Sequence, residues 1–204
     1  MFLKKSRFTE MLIAENALDQ RGFNCWIFCR GMLFNAADKW WGDRGRRDYP
    51  HEGLDLCVYK DRRGGMRQMD VDTRIPVMHA GVVRAIIKDY LGRAVIVEHE
   101  PFGSDGARFI SFYAHTKPRP EIKVGAVVKR GDILATLADT AHSKSGIIPH
   151  VHLSLGFPSE SFSYAGFVWN AVRDPEMIIL QDPLAVIDQP HQSLEAADPA
   201  CRGL

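Results

Sequence analysis

The chain is short of the features that would place it in a specialised class. Only four cysteines, Cys25, Cys29, Cys57 and Cys201, occur in 204 residues, too few and too scattered for a disulfide framework. No CxxC pair is present, which removes the commonest signature of a structural zinc site. The four are read as free, mostly buried thiols, with a Cys25–Cys29 pairing as the alternative. An excess of charge of one sign is lacking too: 26 Lys and Arg stand against 25 Asp and Glu, so the overall balance points to no nucleic acid and no anionic membrane surface. Long apolar runs are also missing. The opening MFLKKSRFTEMLIAENALDQRGF begins basic, but Thr9, Glu10, Glu15, Asn16 and Asp19 interrupt any secretory h-region. The chain therefore reads as neither exported nor membrane-spanning. No internal repeat or low-complexity segment is visible.

What is there suits one ordinary domain with terminal embellishments. Met11, Leu12, Ala14, Glu15, Leu18 and Asp19 predict a short amphipathic helix closed near Gly22. From residue 54 to 156, short β-branched runs alternate with Gly, Pro, Asp and Asn signals, the pattern of an all-β sandwich or barrel. The predicted strands are LDLCVYK, RIPVMHAGVVRAII, AVIVEHE, RFISFYAH, ILATLA and HVHLSLGF. EPFGSDGARF reads as a hairpin loop in which Gly103 and Gly106 can take positive φ. The tail HQSLEAADPACRGL reads as frayed surface chain. The expected division is a helical extension at 1–38, a β domain at 39–188 and a flexible tail at 189–204.

KWWGDRGRRDYP, residues 39–50, mixes Trp40, Trp41 and Tyr49 with Arg44, Arg46 and Arg47. Such a segment either lines a groove for a polar polymer or packs its rings on the sheet, and the second reading is preferred. It leads straight into HEGLDL. On an extended backbone His51 and Asp55 share one face, and Gly53 between them removes a side chain that would crowd the approach. In IIPHVHLSLGF, His150 and His152 are two apart in a strand and share a face by the same rule. A catalytic zinc ion needs about three protein N or O ligands. His51, Asp55 and one of His150 or His152 would supply them, leaving the other histidine as base or oxyanion stabiliser.

Alternation also places Tyr113 and His115 of FISFYAHTKP on one face, with His115 aimed at the same cleft. His142 sits on a loop within reach of the groove. Cys57 shares a strand face with Asp55 and is read as a packed thiol, with an approach to the metal surroundings as the alternative. His79 and His99 are read as strand-end hydrogen bonders, and His191 as solvated.

Taken in order, HEGLD, IPVMHAGVV, FYAHT, KVGAVVKRGDILA and PHVHLSL resemble the lysostaphin/LytM-type zinc endopeptidases of bacterial cell walls, over roughly residues 51–157. IILQDPLAVI resembles the closing segment found after the domain in many members. The resemblance implies a mainly β fold, an antiparallel β-sandwich with an open groove and a short N-terminal helix, holding one zinc ion on the groove floor. It implies His51, Asp55 and His152 as zinc ligands and His115 and His150 as catalytic histidines. KVGAVVKRGDILATL matches the family's tight hairpin, with Gly125 and Gly131 at its turns. ADTAHSKSGIIPH departs from the Gly-rich approach to HxH of many relatives. The implied activity is hydrolysis of peptidoglycan stem peptides or cross-bridges in the periplasm or outside the cell. The alternative is a non-enzymatic LytM-like module that binds cell wall or activates an amidase, a class that has typically lost ligands. A metal-stabilised structural domain is the third reading.

Overall fold

Two sheets share the chain, and the switch between them falls at Cys57. The computed structural model describes residues 6–100 and 107–204; Gly103 and Gly106 of the expected hairpin loop lie outside the described residues. Helix α1 (Phe8–Glu15) precedes strand β1 (Phe23–Cys29). After a long loop come β2 (Leu54–Leu56), β3 (Val58–Asp61), β4 (Met66–Gln68), β5 (Arg74–Pro76), β6 (Gly81–Lys88), β7 (Arg93–His99), β8 (Phe109–Pro118), β9 (Val127–Val128), β10 (Ile133–Leu137) and β11 (Val151–Pro158). Strands β12 (Ile178–Gln181) and β13 (His191–Leu194) and helix α2 (Pro199–Arg202) close it. The larger sheet runs β12-β11-β8-β7-β6-β9, with β2 added to β11 and β10 joining β5 to β8; the smaller runs β13-β1-β3-β4. The fold is mainly β and its pairings are antiparallel, apart from β1 with β13.

Period-two alternation sorts the side chains of the large sheet between two cores. Val95, Val97, Phe109, Tyr113, Val151, Leu153 and Leu155 enter the main core with α1, while Ile96, Ile110 and Phe112 enter a second cluster on the opposite face with Phe162, Phe167 and Ile178. Leu54 and Leu56 of β2 go to the main core, so Asp55 between them faces the other way. The predicted LDLCVYK strand is thus two strands, β2 in the large sheet and β3 in the small one. RIPVMHAGVVRAII likewise divides into β5 and β6.

The N-terminal helix buries Phe8, Thr9, Leu12 and Ile13 rather than the Met11 and Ala14 side of the expected face. Its first turn is held by a distant carboxylate: Thr9 N–H donates to Asp188 Oδ1 at 3.0 Å and Glu10 N–H to Oδ2 at 3.3 Å. Gly125 and Gly131 take φ of 89° and 90° in the expected hairpin.

Two expectations are corrected at the chain's end. Cys29 and Cys201 form a disulfide across 172 residues of sequence, leaving Cys25 and Cys57 as buried free thiols. The separation hid this pair from any local spacing rule. The tail is docked rather than frayed: β13 pairs in parallel with β1, from Trp26 opposite His191 to Cys29 opposite Leu194. Asp198 then caps α2 by accepting from Ala200 N–H at 2.9 Å. His191 itself is exposed, as read.

Candidate metal centre

Asp55 is presented by β2, which pairs with β11 in a register that sets Asp55 opposite His152. Gly53 makes this pairing close. A Cβ at that position would lie 2.3 Å from Leu153 O and 2.8 Å from both His152 Nε2 and Ser154 Oγ, so only glycine lets β2 approach β11 here. His51 enters from the loop just upstream, with its N–H bonded to Ala36 O at 3.0 Å.

Three donor atoms converge. His51 Nε2 stands 3.1 Å from Asp55 Oδ1 and 2.9 Å from His152 Nδ1, and His152 Nδ1 stands 2.9 Å from Asp55 Oδ1. All three residues are buried. His51 Nδ1 lies 3.0 Å from Leu33 O; a carbonyl can only accept, so Nδ1 carries the proton and Nε2 presents its lone pair. His152 Nε2 lies 2.8 Å from Ser154 Oγ, and donation there leaves the Nδ1 lone pair turned inward. Three inward lone pairs about 3 Å apart repel one another unless a cation sits among them. A tetrahedral zinc ion with bonds of about 2.0–2.1 Å keeps its ligands roughly 3.3 Å apart. The donor set fits such an ion in type, number and spacing.

Outer contacts fix these side chains. Trp40 Nε1–H donates to Asp55 Oδ2 at 2.7 Å, and Arg47 Nη2 is 3.8 Å from the same oxygen. Burial opposes ionisation of Asp55, but its histidine surroundings outweigh burial and hold its pKa well below the usual carboxylate range.

His150 and His115 flank the triangle. His150 Nδ1 donates to Ile148 O at 2.9 Å, so Nε2 carries the lone pair, 3.7 Å from Asp55 Oδ1. Burial pushes the His150 pKa down to about 3, against the pull of Asp55. The His115 ring centroid is 4.8 Å from that of His150 and 5.7 Å from that of His152.

His115 reaches this face by a device that strict alternation misses. Odd-numbered residues of β8 point into the main core, so an unbroken strand would bury His115 beside Tyr113. Between Tyr113 opposite Val95 and Thr116 opposite Arg93 the strand carries one extra residue, a β-bulge, and His115 takes φ of 60° there. β8 also changes neighbour at this point, from β11 to β10. His115 N–H donates to Asp89 Oδ2 at 2.7 Å instead of to a strand, while its Nδ1 lies 3.2 Å from Asp89 Oδ1 in poor alignment for a hydrogen bond. Burial would raise the Asp89 pKa, yet the His115 ring and the amides of His115 and Gly92 bring it down to about 2.

The structure thus brings His51, Asp55, His115, His150 and His152 to one cleft of about 460 Å³. Three other expected positions fall elsewhere. Tyr113 is fully buried in the main core, its hydroxyl accepting from Met78 N–H at 2.9 Å; the bulge separates it from His115. His142 is exposed and does not line the cleft. Cys57 is a packed thiol whose pKa burial pushes well up. His99 bonds Ala80 O and Ser111 Oγ, as a strand-end hydrogen bonder should.

Sequence reasoning missed Asp89, Trp169 and the Glu52–Arg173 ion pair of the cleft wall. Asp89 carries a turn signal in KDYLG, but nothing local ties it to a residue 26 positions on. Trp40 lay in a segment already singled out, though not for a bond to Asp55.

A profile of peptidase family M23 matches residues 60–161, half of the chain. The chain belongs to peptidase family M23. The match begins after His51 and Asp55 and takes in His115, His150 and His152, so the first two donors are placed by the geometry alone. No curated protein matches the M23 chain. Among solved structures it is similar to a candidate glycyl-glycine endopeptidase, LytM, from Ruminococcus gnavus, with 18% identity and a TM-score of 0.41 over 70% of this chain and 50% of that one. The M23 chain therefore spans about half the length of that protein. Among the described residues no helix is long and apolar enough to cross a membrane.

Proposed function

We propose that this M23 chain is a zinc-dependent endopeptidase that hydrolyses peptide bonds of bacterial peptidoglycan, in stem peptides or cross-bridges. His51, Asp55 and His152 hold the ion, and His150 and His115 are the catalytic histidines. The observation that carries this reading is the buried His51, Asp55 and His152 triangle, whose outer hydrogen bonds turn its lone pairs toward one point.

A zinc ion bound there supplies Lewis acidity and a water acidified to a pKa of about 7. With zinc held by His51, Asp55 and His152, His150 would be the base. The bond from Nδ1 to Ile148 O fixes the tautomer, so that Nε2 is the nitrogen that would accept the proton and later pass it to the leaving amine. His115 stabilises the developing oxyanion, and Asp89 holds it in position through the backbone amide and beside Nδ1. Trp41, Tyr49, Tyr90 and Trp169 line the cleft, with Arg47 and Arg173 over the first two rings, and give a bound peptide aromatic surface to pack on.

We place the chain in the cell envelope. The Cys29–Cys201 disulfide supports this, because such bonds form and persist in oxidising compartments. The donor set is complete, which favours a peptidase over a module that only binds cell wall or activates an amidase. The test is release of new amino groups from purified peptidoglycan by the zinc-loaded protein and by Asp55→Ala. Release by the wild type and none by the variant is the expected result. Inactivity of the wild type on every sacculus type, with amidase stimulation retained by Asp55→Ala, would support the module instead.

A further inference from the structure

The segment between β1 and β2 is fastened in an unusual way for a connecting loop. Asp38 bridges Arg46, Lys39 N–H donates to Gly45 O at 2.9 Å, and Arg47 N–H donates to Ala37 O at 2.8 Å, which makes a small hairpin. Its root is Cys29, bonded to Cys201. Its far side is tied by Arg44 Nη2, which donates to Cys201 O at 2.7 Å. The disulfide thus ties the start of the segment to Cys201, and Arg44 ties the hairpin to the backbone of the same residue.

What the hairpin presents is Trp40. The ring is only 3% exposed and meets His150 edge-on at 5.4 Å. An indole has a single polar atom, and it can only donate; here it donates to Asp55 Oδ2. That leaves Oδ1 as the oxygen facing the two histidines. A carboxylate rotates readily about its terminal torsion, so without the indole N–H either oxygen, or both, could turn inward.

We propose that Trp40 is a positioning residue of the metal centre, which holds Asp55 so that one defined oxygen is offered to zinc. This rests on the metal reading given above. Replacing partners that orient metal ligands typically costs 10–100-fold in metal affinity.

The experiment is chelator competition for zinc with the full chain in four forms: wild type, Trp40→Phe, Asp55→Ala and the double variant. Phenylalanine keeps an aromatic ring near His150 and removes the N–H together with part of the indole, a packing loss that the Asp55→Ala background shares and that the double variant therefore cancels. The expected result is zinc binding 10–100-fold weaker in Trp40→Phe, with no further loss when Trp40→Phe is added to Asp55→Ala. The same loss in both backgrounds would show that Trp40 acts on the fold at large and would overturn the proposal. Unchanged affinity in Trp40→Phe would overturn it as well. A wild type that binds no zinc would fail the metal reading itself, and the role of Trp40 with it. Should Trp40→Phe not fold, the indole N–H resonance of the zinc-loaded wild type decides. Protection from exchange that is lost in Asp55→Ala is expected, and free exchange in the wild type is the contrary result.

Discussion

Replacing Gly53 with alanine should disable the site while adding only one methyl group. The new Cβ would meet Leu153 O at 2.3 Å, and that oxygen belongs to the backbone of a central strand. Ordinary contact needs roughly 3.4 Å or more between such atoms, so β2 and β11 must part by about 1 Å. The parting falls where Asp55 faces His152, and the other two close atoms, His152 Nε2 and Ser154 Oγ, form the bond that orients the His152 ring. A displacement of about 1 Å at a reacting centre can cost 10²-fold in rate, and overpacking costs about 1–3 kcal/mol in stability. Gly53→Ala should therefore lose about 10²-fold in kcat/KM on a soluble peptidoglycan fragment while remaining folded by circular dichroism. A variant within about threefold of wild type, with full zinc content, would refute the claim that β2 must lie this close.

Three other outcomes are expected. Reducing Cys29–Cys201, or replacing both with serine, frees a 172-residue separation; chain entropy alone sets the loss at about 5 kcal/mol as an upper value, and an unchanged urea midpoint under reductant would contradict the bond. Burial pushes the His99 pKa to about 4 from 6.5, so the fold binds fewer protons than the unfolded chain between those values. Stability contributed by neutral His99 is complete above pH 6.5 and falls by about 3 kcal/mol as pH drops to 4; urea midpoints at pH 7 and pH 5 should differ less in His99→Gln. Tyr113→Phe leaves Met78 N–H buried without its partner and should cost about 1–3 kcal/mol with kcat unchanged, whereas a fall in kcat would return Tyr113 to the groove.

The donor residues were legible because their geometry is local. His51 and Asp55 lie four apart around a glycine, and His150 and His152 lie two apart at the start of one strand, so backbone periodicity groups each pair, while joining the pairs and choosing His152 came with the resemblance to the lysostaphin/LytM family. The same periodicity misled at His115. Alternation pairs it with Tyr113, and only a bulge, set by the change of neighbour from β11 to β10 and by Asp89, turns it to the cleft. Cys29 and Cys201 illustrate a second limit. Their meeting depends on a parallel pairing of β13 with β1, a long-range register with no counterpart in spacing. LDLCVYK shows a third, since its burial pattern is continuous while its hydrogen-bond partners change sheet at Cys57. Trp40 stood in a conspicuous segment, but its bond to Asp55 arises from the hairpin's placement by the disulfide and Arg44.

The most direct measurement is a zinc titration of the metal-free chain with amino-group release from peptidoglycan as the readout, run beside His152→Ala. Activity that rises from zero and saturates at one zinc per chain, and that never appears in the variant, is the predicted result. Release that persists in excess chelator, or that survives in His152→Ala, would contradict the account.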